Sequence, residues 1–167
     1  MGVKIKTVKN EFPKMKARLE DLDGKGVEVG VLKGEHTWLA AIHEYGCDIK
    51  ITPRMRKFLH WKGLHVKDST TEIKIPERSF LRGGFDANEG KLVKKAELLL
   101  GEVIDGRMSA DGCFEALGSD FRDRIRDYLV ELDKPANHEY TLEHKNTSNP
   151  LIRTGNMLDG ITWRKAK

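Results

Sequence analysis

The feature that most constrains the fold is a pair of long amphipathic helices predicted in the second half of the chain. Apolar residues in both segments recur at three- and four-residue steps, so each helix carries one wide apolar stripe. Asp105-Gly106 separates the two patterns, and Ser109 is the expected N-cap of the second helix. Burying about a dozen of these side chains at about 1.5–3 kcal/mol each would supply most of the hydrophobic stabilisation. The stripes consist of Leu92, Val93, Ala96, Leu99, Leu100, Val103 and Ile104 in the first helix, and of Phe114, Leu117, Phe121, Ile125, Tyr128, Leu129 and Leu132 in the second.

Shorter helices and strands are predicted around this pair. The apolar spacing from Glu11 to Leu22 predicts a helix with one apolar face, and the alternation from Val27 to Val31 predicts a half-buried strand. Val3 and Ile5 alternate with lysines, which indicates either a strand or a basic tail. A helix is predicted over 38–45, capped by Thr37 and lying on the sheet through Trp38, Ile42 and Tyr45. The remaining predicted elements are a strand over 49–51, a helical turn over 151–158, and a strand over 161–163 that precedes a basic tail. We therefore expect one α+β domain over residues 1–167, with a small mixed or antiparallel sheet packed by the two long antiparallel helices.

Two segments depart from this compact pattern. Residues 133–150 have little periodicity and predict a long loop. Residues 47–75 contain the run from Arg54 to Lys62, which mixes basic residues with Met, Phe and Trp, and are followed by a predicted return strand that ends at Ile75. This pattern predicts a protruding basic hairpin arm.

The arm has two possible partners. Arg, Trp and Met are enriched where protein subunits meet, so Arg54, Arg56, Phe58 and Trp61 are candidate contacts with a neighbouring subunit. Alternatively, Arg54, Arg56 and Lys57 would contact phosphates while Trp61 stacks on a base, which would make the arm a nucleic-acid-binding surface. We favour the subunit contact, because a net charge of +4 is small for a dedicated nucleic-acid-binding protein.

The segment from Ile75 to Arg82 is predicted to be a joint between the layers of the fold. Pro76 is expected at the end of a strand, and Gly83-Gly84 is expected to turn the chain into a helix that begins near Phe85. In an extended segment, alternate residues share one face. Arg78, Phe80 and Arg82 are therefore predicted to lie together on a face that meets a partner, with Leu81 on the opposite face.

The sequence predicts neither an enzyme nor a bound cofactor or metal. His43-Glu44 begins like a zinc-protease H-E-x-x-H motif, but Cys47 stands where the second histidine is required. Spacing alone does not show whether the remaining candidate metal ligands converge, so a metal-dependent hydrolase that uses His36 and His43 stays a third, less favoured alternative. The candidate ligands are His36, His43, Cys47 and His60. The acidic residues Asp120, Asp123 and Asp127 alternate with arginines, which is typical of ion pairs along an exposed helix face rather than of a catalytic cluster.

The composition indicates a charged, cytoplasmic protein. With 38% hydrophobic and 34% charged residues, the chain is polar for a compact monomer, which indicates either an unusually charged surface or an extended arm that orders against a neighbour. No run approaches the roughly 20 apolar residues of a membrane helix. The first residues lack the apolar core of a signal peptide, and the two cysteines do not form a disulfide framework. We therefore expect synthesis and assembly in a reducing cytoplasm.

The order of four short motifs resembles a protein family. The motifs are Val29-Gly30-Val31, Ala40-Ala41-Ile42-His43-Glu44-Tyr45-Gly46, Ile75-Pro76-Glu77-Arg78-Ser79-Phe80-Leu81, and, after the two helices, the run from Pro150 to Thr162. Their order and spacing are similar to those of tail-completion proteins (neck, minor-tail or head–tail joining proteins) of tailed bacteriophages and prophages. The resemblance extends from about Val27 to Trp163 and departs from the family in the longer segment from Cys47 to Ile75.

The resemblance implies a virion structural protein that takes part in virion assembly. Such proteins are small subunits of an oligomeric ring at the head–tail joint, so the implied partners are other copies of this chain, with a hexamer as one candidate, a tail-tube or tail-terminator protein, and head connector proteins. The implied location is the tail or neck of the virion, assembled in the bacterial host cytoplasm, without contact with a membrane. The residues that we assign to subunit or partner contacts are Arg54, Arg56, Phe58, Trp61, Arg78, Phe80, Arg82, Thr154, Gly155 and Met157.

Overall fold

A computed structural model describes residues 10–166, so the strand or tail predicted at Val3 and Ile5 lies outside the described residues. The fold is of the α+β class, as predicted. In chain order its elements are α1 (Phe12–Leu22), β1 (Gly26–Val31), α2 (Thr37–Tyr45), β2 (Cys47–Lys50), α3 (Pro53–Trp61), β3 (Glu72–Ile75), α4 (Phe80–Ile104), α5 (Ala110–Glu131), α6 (Glu139–Glu143), α7 (Asn156–Gly160) and β4 (Ile161–Ala166).

The two long helices α4 and α5 form the centre of the fold, as their periodicity predicts. They pack against each other, and α5 also packs against β1 and β4. Ser109 caps α5 by accepting a hydrogen bond from the Gly112 amide at 3.1 Å. The side chains of Phe80, Ile125, Leu129 and Ile161 are almost completely buried and belong to one core. This core therefore joins the helical pair to the β1–β4 strands.

The described strands form two separate two-stranded antiparallel sheets, one against the long helices and one in the predicted hairpin over 47–75. In the first, β1 pairs antiparallel with β4, so that Val31 lies opposite Ile161 and Gly26 opposite Ala166. In the second, β2 pairs antiparallel with β3, so that Cys47 lies opposite Ile75. Because β4 continues to Ala166, residues 164–166 are strand residues and not the basic tail predicted from their composition.

The start of α4 corrects the prediction for the joint. The helix begins at Phe80 rather than near Phe85, and Gly83 and Gly84 lie inside it. A Cβ atom at Gly83 would stand 2.6 Å from the hydroxyl oxygen of Tyr128, and one at Gly84 would stand 2.8 Å from the Cδ1 atom of Ile125. The two glycines therefore allow α4 to approach α5 closely and do not form a turn.

The segment over 47–75 is a hairpin that carries a helix between its strands. Thr52 begins α3 by accepting a hydrogen bond from the Met55 amide at 3.2 Å, and Pro53 occupies the first turn, where its missing N–H has no cost. The Arg56 guanidinium donates to the carbonyl oxygens of Val66, Lys67 and Thr70 at 2.7–3.1 Å. The basic run predicted as part of a strand arm is thus a helix tied to the loop that follows it. None of the buried residues lies on α3.

The segment from Asp133 to Asn149 is a connection that contains the short helix α6. Asn149 holds its end in place, because its side-chain amide donates to the carbonyl oxygens of Leu129, Val130 and Leu132 at 2.9–3.2 Å. The helical turn predicted over 151–158 is displaced to α7. Within residues 10–166, no helix is both long and apolar enough to cross a membrane.

Candidate subunit interface

The carboxylate of Glu44 joins two of the four motifs. Glu44 lies on α2 and is only 3% exposed. Its oxygens accept hydrogen bonds from the backbone amides of Leu81 at 2.8 Å and Arg82 at 3.0 Å. The first amides of a helix have no partner within the helix, so a buried carboxylate there satisfies them and interacts favourably with the helix dipole. Glu44 therefore fixes the start of α4.

Arg82 completes this joint from the solvent side. Its Nε donates to the Glu44 carboxylate at 3.0 Å, and its Nη2 donates to the Glu44 carbonyl oxygen and to the Glu77 carboxylate, each at 2.8 Å. The hydrogen bond to Glu44 raises the pKa of Arg82 above its usual value. The guanidinium carbon also lies 4.8 Å from the centre of the Tyr45 ring. Most of its hydrogen-bonding capacity is thus used inside the chain, although half of its side chain remains exposed.

Arg78 and Phe80 lie inside the protein. Phe80 is 0% exposed and belongs to the core, and Arg78 is 5% exposed. Arg78 donates to the carbonyl oxygens of Pro135 at 2.7 Å and Ala136 at 3.1 Å, so it holds the connection that follows α5. The exposed face predicted for Arg78, Phe80 and Arg82 is wrong, because the chain turns helical at Phe80. Of the three residues, only Arg82 offers a partner a substantial surface in this conformation.

The helix α3 presents the contact residues that were predicted on the arm. Arg54, Phe58 and Trp61 are exposed at a spacing of four and three residues, so they share one side of the helix. Phe58 is 53% and Trp61 74% exposed, and their ring centres are 6.1 Å apart. The Lys62 ammonium lies 4.6 Å from the centre of the Trp61 ring. We call Arg54, Phe58 and Trp61 the α3 face. Arg56 does not belong to it, because carbonyl oxygens of the following loop occupy its guanidinium.

Two further aromatic residues are exposed where burial was expected. Trp38 and Tyr45 on α2 are 65% and 67% exposed, although their spacing predicted that they would lie on a sheet. The buried side of α2 instead carries Ala40 and Glu44. Hydrophobic periodicity alone cannot distinguish a face that packs on the core from one that is left open, so the sequence pattern missed this surface.

The C-terminal turn contributes less surface than predicted. Met157 is 6% exposed and lies in the core, so it presents almost no surface to a partner. Thr154 is exposed, and Gly155 adopts φ +85°, a left-handed conformation that favours glycine, immediately before α7. Gly155 therefore has a local conformational role, and only Thr154 presents a side chain at this turn.

The structure does not bring the candidate metal ligands or the acidic residues of α5 into a reactive site. Among residues 10–166, no three His, Cys, Asp or Glu side chains are grouped so that they could hold a metal ion. Asp120 forms ion pairs with Lys95 at 2.8 Å and Arg124 at 2.7 Å, and Asp123 pairs with Arg122 at 2.8 Å. These contacts agree with the ion-pair interpretation of the α5 charges.

The exposed surface is large for the size of the chain. The whole chain exposes 12087 Å², whereas a compact monomer of 19.0 kDa exposes about 8,400 Å². The ten residues outside the described range contribute at most about 1,700 Å², the area of a fully extended segment of that length. The rest of the excess belongs to the described residues and includes the exposed aromatic side chains of α2 and α3.

Comparison of the chain with protein-family models, with curated proteins and with solved structures gives no match. The fold and the site therefore define the class of protein in structural terms only. It is an α+β domain with two long central helices, a buried acidic joint and a hairpin that displays an exposed aromatic helix.

Proposed function

We propose that this protein is a structural subunit of a tailed bacteriophage or prophage, which forms a ring at the head–tail joint as a neck or tail-completion protein. The observation that carries the proposal is the way the four family-like motifs meet in the fold. Residues 29–31 pair with residues 161–163 in the β1–β4 sheet, and Glu44 binds the backbone of Leu81 and Arg82. Motifs that are far apart in sequence thus contact one another and form one structural framework.

The framework leaves suitable surfaces for contact between subunits. Aromatic and arginine side chains supply much of the binding energy at protein interfaces, and the α3 face consists of Arg54, Phe58 and Trp61. In the proposed ring, this face contacts a neighbouring copy, and the exposed α2 residues Trp38 and Tyr45 extend the contact area. The ring then accepts a tail-tube or tail-terminator protein on one side and head connector proteins on the other.

The test is complementation of a phage or prophage that lacks this gene, followed by electron microscopy of the lysate. The variant with Phe58→Glu and Trp61→Glu should fold but fail to give joined, infectious particles, because two carboxylates would be buried at the contact. Leu98→Glu is the matched control, since Leu98 is 73% exposed on α4 and does not belong to the α3 face. Normal particles from the double variant would contradict the proposed contact. Normal particles from a complete deletion would contradict the assembly role itself.

A nucleic-acid-binding module is the second candidate function. It is favoured by the exposed Trp61 beside Lys62 on the same helix as Arg54 and Lys57, since an aromatic ring with nearby cations binds single strands by stacking and charge. Arg56 argues against it, because its guanidinium is bound to carbonyl oxygens. Binding of single-stranded DNA that weakens steeply with salt and is lost in Arg54→Gln with Lys57→Gln would favour this function over the ring.

A further inference from the structure

A cavity of about 410 Å³ lies between α2, β3 and the connection that follows α5. Its apolar wall includes Leu39, Ile73 and Pro150. Its charged wall is formed entirely by cations, namely Arg78, Lys145, Arg153 and Lys74, with His43 and His138 beside them. None of the described residues that line the cavity is an aspartate or a glutamate. The cavity therefore concentrates positive charge in a chain whose net charge is only +4.

Arg78 is the most deeply buried of these cations, with 5% of its surface exposed. All the hydrogen-bond acceptors that it contacts within residues 10–166 are neutral: two backbone carbonyl oxygens and the Asn137 Oδ1 at 3.3 Å. Those bonds use its Nε and Nη2 donors, and its Nη1 donors make no hydrogen bond to the described chain. A buried charge normally has a partner of opposite sign, and residues 10–166 supply none to Arg78.

The neighbouring groups share this excess of positive charge. Burial lowers the pKa of Lys145, and the charges of Arg78 and Arg153 lower it further. Lys145 donates to the Asn149 carbonyl oxygen at 2.6 Å, so its only hydrogen-bond acceptor within the described part of the chain is also neutral. The Nδ1 atom of His43 is buried without a hydrogen-bond partner among the described residues. Several groups that favour an anion therefore face one space.

We propose that this cavity binds an oxyanion, a phosphate or carboxylate group that pairs with Arg78, Lys145 and Arg153 and receives a hydrogen bond from His43. A planar guanidinium matches the two oxygens of either group. The apolar wall suits a ligand that carries the charged group on an organic body, either a phosphate ester or an organic acid. This inference rests on the cavity alone and does not depend on the ring proposed above.

The experiment measures binding of inorganic phosphate and of citrate to the protein by titration calorimetry, at constant ionic strength set with sodium chloride. We expect at least one of the two probes to bind and to raise the melting temperature of the protein, because a ligand that binds the folded state stabilises it. Arg153→Gln and Lys145→Gln should each weaken binding by about tenfold, the effect of losing one charge-assisted contact. The matched control is Lys94→Gln, which removes an exposed cation of α4 outside the cavity and should leave the dissociation constant unchanged.

The two probes distinguish the sources of the oxyanion. Binding of phosphate alone would assign the site to a phosphate-bearing ligand, binding of citrate alone to a carboxylate ligand, and binding of both to the charge that they share. Arg78→Met removes the contacts to Pro135 and Ala136 and is expected to unfold part of the connection, so the variants of Lys145 and Arg153 carry the test. If neither probe binds, or if Lys94→Gln weakens binding as much as Arg153→Gln, the proposal is wrong and Arg78 serves only to hold the connection.

Discussion

At the scale of single residues, Glu44 has the clearest structural role. It stands beside a histidine in a motif that resembles a metal site, yet its carboxylate caps α4 and binds Arg82. Nothing in the local sequence identifies this role, because a glutamate on a short helix is usually exposed. The contact spans 37 residues between Glu44 and Leu81, so it becomes visible only when the start of α4 is known. Periodicity therefore predicted the helix that carries Glu44 but not the direction in which its side chain points.

Replacing Glu44 with glutamine should lower the free energy of unfolding by about 1.5–3 kcal/mol, the usual value for a hydrogen bond to a charged group. The amide keeps the shape of the side chain but removes the charge that faces the helix N-terminus. Urea denaturation of parent and variant measures the change. Glu77→Gln is the control, because Glu77 is half exposed and pairs with the same arginine, and such pairs contribute only about 0–1 kcal/mol. Equal effects of the two changes would show that the burial of Glu44 has no energetic importance.

At the scale of elements, sequence patterns predicted most of the regular segments and the packing of the long helices on a sheet, but not every contact between elements. The periodic apolar stripes predicted α1, α4 and α5, and the alternation of apolar with polar or small residues predicted β1. The sequence did not predict that β1 pairs with β4, because this pairing depends on residues far apart in the chain, such as Val31 and Ile161. The sequence also contained a signal for α3 that was not used, since Thr52-Pro53 is a typical helix start. Gly83-Gly84 was misassigned because a glycine pair can mark either a turn or a close helix–helix contact.

A similar close contact joins α5 to β4. The ring of Trp163 lies against Gly118, and a Cβ atom at position 118 would overlap it. We expect Gly118→Ala to destabilise the protein, because overpacking costs about 1–3 kcal/mol and exceeds the roughly 1 kcal/mol that alanine gains in a helix. Gly90→Ala on α4 is the matched control, since no atom lies within 4 Å of the Cβ position there. Thermal unfolding should show a lower melting temperature for the first variant and a higher one for the second. A stabilised Gly118→Ala variant would refute the contact between α5 and β4.

At the scale of the whole molecule, the protein consists of a packed body and a hairpin whose helix α3 has no buried residues. The body contains the core formed by α4, α5 and the β1–β4 strands. The hairpin contains α3, whose residues are exposed or half-buried. Hydrogen bonds from Arg56 tie α3 to the loop after it, and the Tyr140 hydroxyl donates to the Lys62 carbonyl oxygen at 2.6 Å. Segments with few buried apolar contacts open at low free energy. The mixture of basic and aromatic residues over 54–62 predicted an exposed arm but not its helical conformation.

Hydrogen exchange should therefore be fast over residues 53–70 in the free protein and slower in the assembled form. The physical reason is that contact with a neighbour would cover the α3 face and stabilise the helix. Backbone amides of Ile125 and Leu129 serve as the internal control, because these residues lie in the core and should exchange slowly in both states. Strong protection of residues 53–70 already in the free protein would contradict this prediction.

The pairing of β1 with β4 also determines when the protein can fold during its synthesis. The Arg164–Glu28 ion pair joins residues 136 positions apart, and Ile161 fills a fully buried place in the core. A growing chain therefore cannot complete its core until the ribosome has released β4, and the long helices remain partly uncovered until then. Partly folded chains with exposed apolar surface are prone to aggregate or to be degraded. The emergence of residues 161–166 from the ribosome thus becomes the step that converts a vulnerable chain into a stable one.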